Sequence, residues 1–132
     1  MILTIKTADN HTALCLFASA AAKSPAANLE WESGRALSDQ LLGRLIQFLH
    51  EHHCELADLT GIVIFSGPGS FTSLRIGHTI ANALADSLGI PLVGVRGEGW
   101  LGEGKDSLAT AQVGHPALPY YGSEAHITRP KS

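Results

Sequence analysis

Cysteine is scarce in this sequence: only Cys15 and Cys54 occur, in a strand-like and a helix-end context with no paired spacing. That argues against a disulfide framework of the kind that staples small secreted domains, and it fits a reducing cytosol. Charge is thin as well, at 16% of residues, with a net charge of −3 and the two signs interspersed rather than blocked. Strong nucleic-acid binding by this chain alone would need clustered Lys and Arg, and the sequence has no such cluster. No charged segment followed by an apolar run opens the chain, so no signal peptide is read. No apolar run approaches membrane-spanning length. The expectation is a cytoplasmic protein with no membrane partner.

Catalytic apparatus is equally sparse. The run Gly67-Pro68-Gly69-Ser70-Phe71-Thr72 lacks the Lys-Ser/Thr ending of a Walker A loop and the third glycine of a dinucleotide fingerprint. There is no Gly-x-Ser-x-Gly elbow, and no Cys/His pair stands out as a nucleophile. His50-Glu51-His52-His53-Cys54 comes close to the zinc-protease pattern, but position 54 is Cys where a His is required, and a third ligand is not evident. Histidines in the last turn of a helix also complement its dipole. Trp31 and Trp100 are far apart and read as packing residues. The residues therefore predict no catalytic group, no cofactor and no metal.

What is present is enough apolar sequence, 45% of 132 residues, for one domain with a hydrophobic core. Strands are predicted over 2–8 and 12–19, joined by a turn at Asp9-Asn10-His11, and a third over 26–33. A helix of about 15 residues from Ser38 carries Leu41, Leu42, Leu45, Ile46, Phe48 and Leu49 at the spacing of one face. A buried strand over 61–65, a glycine-rich turn, a second helix over about 72–87 and a strand over 92–95 follow. Thr72 is expected to cap that helix, Gly89 to stop it, with Pro91 beyond. Residues 97–104 are glycine-dense, read as irregular or as a short helix.

The run Ser66-Gly67-Pro68-Gly69-Ser70-Phe71-Thr72-Ser73-Leu74-Arg75-Ile76-Gly77 closely resembles the signature of the TsaB (YeaZ-like) family. Ile2-Leu3-Thr4-Ile5, Leu56 to Ile62 and Leu88 to Val95 resemble that family's first strand, its lead-in to the signature and its following strand. The likeness covers roughly residues 1–96. It implies an α/β fold, an RNase H-like (actin- and sugar-kinase-like) single lobe with a mixed five-stranded sheet and two main helices. The expected organisation is that lobe over 1–96, a Gly-rich connector over 97–115 and an extended tail over 116–132. The family usually carries a second lobe of similar size, and the sequence after Val95 departs from it.

The family's members are non-catalytic scaffold subunits of the machine that makes threonylcarbamoyladenosine in tRNA. The resemblance implies a TsaD-like catalytic subunit as main partner, with a TsaE-like P-loop ATPase joining through the complex. It also implies tRNA contact only indirectly; the broad apolar faces of the two helices predict a two-fold homodimer when the chain is alone. In related lobes the first strand ends near an aspartate that handles metal-bound phosphate. Here Ile5-Lys6-Thr7-Ala8 puts Lys6 in that place, and a lysine does not ligate magnesium.

Both helices show apolar arcs wider than the stripe that a helix on one sheet needs, and on the second helix Arg75, His78, Thr79, Asn82 and Asp86 are placed on the remaining arc. One reading is that they cover the sheet and touch each other; the other, which the resemblance favours, is a partner interface at Leu41, Leu42, Leu45, Ile46, Leu49, Arg75, Ile76, Gly77, Ile80, Ala81 and Leu84. Ser73, Gly77, Ala81 and Ala85 form a small-residue ridge that admits a close neighbour. Two rival readings stand beside the scaffold: a small ATPase or phosphotransferase using the Gly67–Thr72 loop, and a free-standing homodimer. The tail is expected to act as a docking strap, with Leu118, Tyr120, Tyr121 and Ile127 as anchors and Pro116, Pro119 and Pro130 favouring extended backbone.

Overall fold

The computed structural model describes residues 1–120; the anchors expected at Tyr121 and Ile127, and Pro130, lie outside them. Strands β1 (Ile2–Lys6), β2 (His11–Phe17) and β3 (Ala27–Glu32) form an antiparallel meander. Helix α1 (Leu37–Glu51) follows, then β4 (Gly61–Phe65), α2 (Phe71–Leu88), β5 (Leu92–Val95) and α3 (Trp100–Ser107). β4 pairs parallel to β1, and β5 parallel to β4, giving the mixed five-stranded order β3-β2-β1-β4-β5. Parallel neighbours need crossover helices, and α1 and α2 supply them.

Side-chain alternation sorts the core into two layers. Leu3, Ile5, Leu14, Leu16, Ile62 and Ile64 face α1 and α2 and pack with Leu41, Leu45, Leu49, Ala81 and Ala85. Ile2, Phe17, Val63, Phe65 and Val95 point the other way and pack with Trp100 and Leu108 of the α3 region. β4, covered on both faces, is apolar throughout, whereas β3 at the edge alternates between half-buried and exposed. The glycine-dense stretch thus resolves as a short helix. Gly104 lets that helix lie on the sheet, because a Cβ there would run into the side chain of Val63. No helix among the described residues is long and apolar enough to cross a membrane.

Three expectations change. β1 ends at Lys6 rather than residue 8, because Thr7, Ala8 and Asp9 turn to meet α2 and the loop before it. Ser70, not Thr72, is the N-cap of α2, its hydroxyl accepting from the Ser73 N–H at 3.4 Å. His78, placed by its polarity on the outer arc of α2, lies inside, at 2% exposure. Gly89 stops α2 in the left-handed conformation, at φ 67°, as expected.

Candidate functional site

The glycine-rich turn braces three elements. Ser66, at the end of β4, donates its N–H to Val95 O at 2.8 Å and accepts at its carbonyl from Tyr120 N–H at 2.6 Å. Gly67 adopts φ 115° and accepts from Gly97 N–H at 3.0 Å. A side chain at Gly67 would meet the carbonyl of Tyr120. Gly69 passes so close to the end of the first strand that a Cβ would stand 2.6 Å from Ala8 O and 2.9 Å from Ala8 Cα. Ser70 N–H donates to that same Ala8 carbonyl. The glycines therefore serve close backbone approach within the lobe.

The small ridge of α2 has the same purpose. Thr7 Oγ1 donates to Ser73 O at 2.8 Å, and Ser73 Oγ donates to Asp9 O at 3.0 Å. One turn on, Gly77 leaves room for the Thr7 side chain, which a Cβ would overlap. Ser73, Gly77, Ala81 and Ala85 are all buried, so the close neighbour they admit is the sheet.

A buried pair, missed in the sequence, lies beneath this helix. His78 Nδ1 stands 2.7 Å from Leu74 O, which can only accept, so Nδ1 carries the proton. Nε2 then accepts from the Ser66 hydroxyl at 2.9 Å. Burial pushes the His78 pKa below its ordinary value of 6.5, and the Leu74 carbonyl opposes this in part. Ser66 Oγ is roofed by Gly94, where a Cβ would approach it to 2.5 Å. The pair has nucleophile-and-base chemistry, but its atoms are shut inside the lobe and tie β4 to α2. The signal for it was position: His78 stands four residues after Leu74 and three before Ala81, both on the buried face.

The residues expected at a partner interface divide in two. Leu41, Leu45, Leu49, Gly77 and Ala81 are buried against the sheet, so they cannot also touch a partner. Ile76, Ile80 and Leu84 are half-buried and pack against the core cluster shared with α1, which absorbs much of the extra apolar width of α2. Arg75 is exposed, its guanidinium over the Phe71 ring at 5.6 Å. Leu42 and Ile46, one turn apart on α1, remain at 44% and 43% exposure. Phe71 and Thr72 of the signature also face outward.

On the opposite face of the sheet, Lys6 extends its Nζ over the Phe65 ring at 4.6 Å. Lys6, Asp9, His11, Glu30 and Trp100 line a depression of about 390 Å³, in which His11 Nε2 and Glu30 Oε1 are 3.0 Å apart. Lys6, at the end of β1, thus brings a cation to this depression. At the end of α1, Cys54 turns inward and donates to Glu55 O at 3.5 Å, while His50 is exposed and His52 packs edge-on to Phe48. Burial raises the Cys54 thiol pKa. Among the described residues no group of three or more His, Cys, Asp or Glu comes together around a metal-sized site.

Comparison with known proteins adds a family. A family model described as TsaD, tRNA N6-adenosine threonylcarbamoyltransferase, matches residues 32–102, more than half of the chain. The tRNA N6-adenosine threonylcarbamoyltransferase of Syntrophus aciditrophicus (strain SB) is 45% identical over 51 residues, covering 39% of this chain and 15% of that protein. The tRNA threonylcarbamoyladenosine biosynthesis protein TsaB of Bacillus subtilis (strain 168) is 37% identical, covering 43% of this chain and 32% of that one. The chain thus spans a third or less of the length of these curated relatives. Among solved structures, YeaZ from Pseudomonas aeruginosa superposes with a TM-score of 0.64 at 23% identity, over 72% of this chain and 43% of that one. At that identity the likeness shows the fold, the RNase H-like lobe expected from the signature.

Proposed function

This chain belongs to the TsaD family and is TsaB-like within it; from that premise we propose that it is a non-catalytic scaffold and dimerisation subunit in the biosynthesis of threonylcarbamoyladenosine at position 37 of tRNA. Its partner is a TsaD-like catalytic subunit, and a TsaE-like ATPase and the tRNA are met through that complex. The observation that carries the reading is the exposed pair Leu42 and Ile46 on α1. We assign the exposed Arg75 and the exposed edges of Ile76 and Ile80 on α2 to the same outer side of the helical layer. Such a face is a docking surface for a chain of matching shape.

Two further observations support the non-catalytic part. The signature glycines and the Ser70 amide are engaged within the lobe, which leaves the loop as a brace rather than a phosphate cradle. Lys6 stands in place of the acid that phosphoryl chemistry needs. The same apolar face fits a second copy of the chain when the partner is absent, in a two-fold pairing. The test is co-expression with the TsaD-like subunit of the same organism: the pair should co-elute, and Leu42→Asp with Ile46→Asp should abolish co-elution. Co-elution untouched by those changes would refute the assigned face.

A further inference from the structure

The segment after α3 reaches α2 on the same face of the sheet as α1, over the edge strand β5. Its attachments are made by its backbone. Asn82 Nδ2 donates to Ala117 O at 2.9 Å, and Asn82 Oδ1 accepts from Ala117 N–H at 2.9 Å. Tyr120 N–H donates to Ser66 O at 2.6 Å. A side-chain amide that bonds both backbone groups of one residue imitates a neighbouring strand, and recognition of this kind selects an extended chain rather than a particular sequence.

Side-chain selection is confined to one point. Ala117 is buried, and beneath it a Cβ on Gly94 would come within 3.0 Å of the Ala117 Cβ. A small residue facing a glycine fits there. Leu118 stays 77% exposed, and Tyr120 lies under the Arg96 guanidinium at 4.2 Å. Pro116 and Pro119 fix an extended backbone and lower the ordering cost of docking. Because the segment buries so little apolar area, its seat opens more readily than the core. With the segment seated, a depression of about 480 Å³ lies between it and Ser66, Leu92, Gly94 and Arg96, and a second of about 240 Å³ lies between it and Asn82, Ala85 and Ile90. Opening the segment would expose the Asn82 amide and the Ser66 carbonyl along that seat.

We propose that the groove between α2 and β5 is a binding site for an extended peptide with a small residue between prolines, filled in cis by Pro116–Tyr120 and in exchange by the same segment of a second copy of this chain. By helical spacing Asn82 lies on the flank of α2 opposite Ile76 and Ile80, so the site does not depend on the partner face proposed above.

The test uses the full chain. Ala117→Trp overfills the strap and leaves the groove intact; Asn82→Leu removes the group that holds the backbone. Hydrogen exchange at the Ala117 and Tyr120 amides reports the strap, and the Ala81 and Ala85 amides report the fold. Asn82→Leu should lower protection at Ala117 by roughly tenfold to a hundredfold, as expected for loss of its hydrogen bonds, while α2 stays protected. A fluorescent peptide with the sequence of residues 115–120 should bind the Ala117→Trp chain at least about tenfold more tightly than wild type, where the cis strap competes. It should not bind the chain carrying both substitutions. Where Ala117→Trp costs α2 its protection, Ala117→Val makes the same comparison with a smaller overfill. Peptide binding indifferent to Asn82→Leu, or no peptide binding by an Ala117 variant with protected α2, would overturn the proposal.

Discussion

Two glycines in the interiors of the helices should respond oppositely to the same substitution. Gly77 faces the sheet, and a Cβ there would overlap Thr7 Oγ1 and stand 3.2 Å from Thr7 Cγ2. Thr7 is fully buried and its hydroxyl is committed to Ser73 O, so it has nowhere to go. Gly77→Ala therefore combines overpacking with a strained or lost hydrogen bond, a cost of about 2–4 kcal/mol. In a domain of this size that lowers Tm by roughly 6–20 °C. Gly43, on the exposed side of α1, meets nothing within 4 Å. Gly43→Ala removes only the helix penalty of glycine and should raise stability by about 0.5–1 kcal/mol. Thermal unfolding by circular dichroism reads both, and Thr7→Ala combined with Gly77→Ala completes a cycle. The double variant should lose less than the sum of the singles, because the removed threonine atoms make room for the new methyl. A Gly77→Ala chain as stable as wild type would refute the close packing of α2 on the end of β1.

Further expectations follow from the same geometry. His78 is held neutral in the fold with its pKa below 6.5, so the unfolded chain binds the proton first. Stability should be unaffected by His78 above its unfolded value, and should fall as pH drops below about 6.5 towards the lower folded value. Urea midpoints at pH 7.5 and 5.5 check this, and His78→Leu should flatten the slope; a slope unchanged in that variant would contradict the assignment. The isolated chain should show no multiple-turnover ATP hydrolysis; turnover abolished by Thr72→Ala would favour the phosphotransferase reading instead. Leu42→Asp with Ile46→Asp should leave Tm within a few degrees of wild type, since exposed substitutions cost about 0.5 kcal/mol or less. A large loss of Tm would mean that the pair is part of the core.

Much of the fold was legible because its signals are local. The apolar run Gly61–Phe65, the glycine turn and the periodic stretch beyond it define β4 and α2, and Gly89 marks the end of α2. β5 was equally plain between Pro91 and Arg96. The candidate face was legible only in part. Leu41 and Leu42 are adjacent and equally apolar, yet one is buried on the sheet and the other is exposed; which arc points inward is decided by tertiary packing. The broad arc of α2 overstated its free surface, since Ile76, Ile80 and Leu84 go to the cluster shared with α1. His78 was misplaced because polarity was read ahead of position, although Leu74 and Ala81 flank it on the buried face. The Asn82–Ala117 clasp joins residues far apart in the chain, and no local pattern announces it.

In the function proposed above, the outer face of α1 and α2 holds a TsaD-like subunit. Titration of the purified chain into that subunit, followed by sedimentation velocity, tests it most directly. Wild type should give a single heteromeric species, lost with Leu42→Asp and Ile46→Asp and kept with Asn82→Leu, which lies on the opposite flank of α2. A chain that forms no complex, or one whose complex survives the two aspartates, would contradict it.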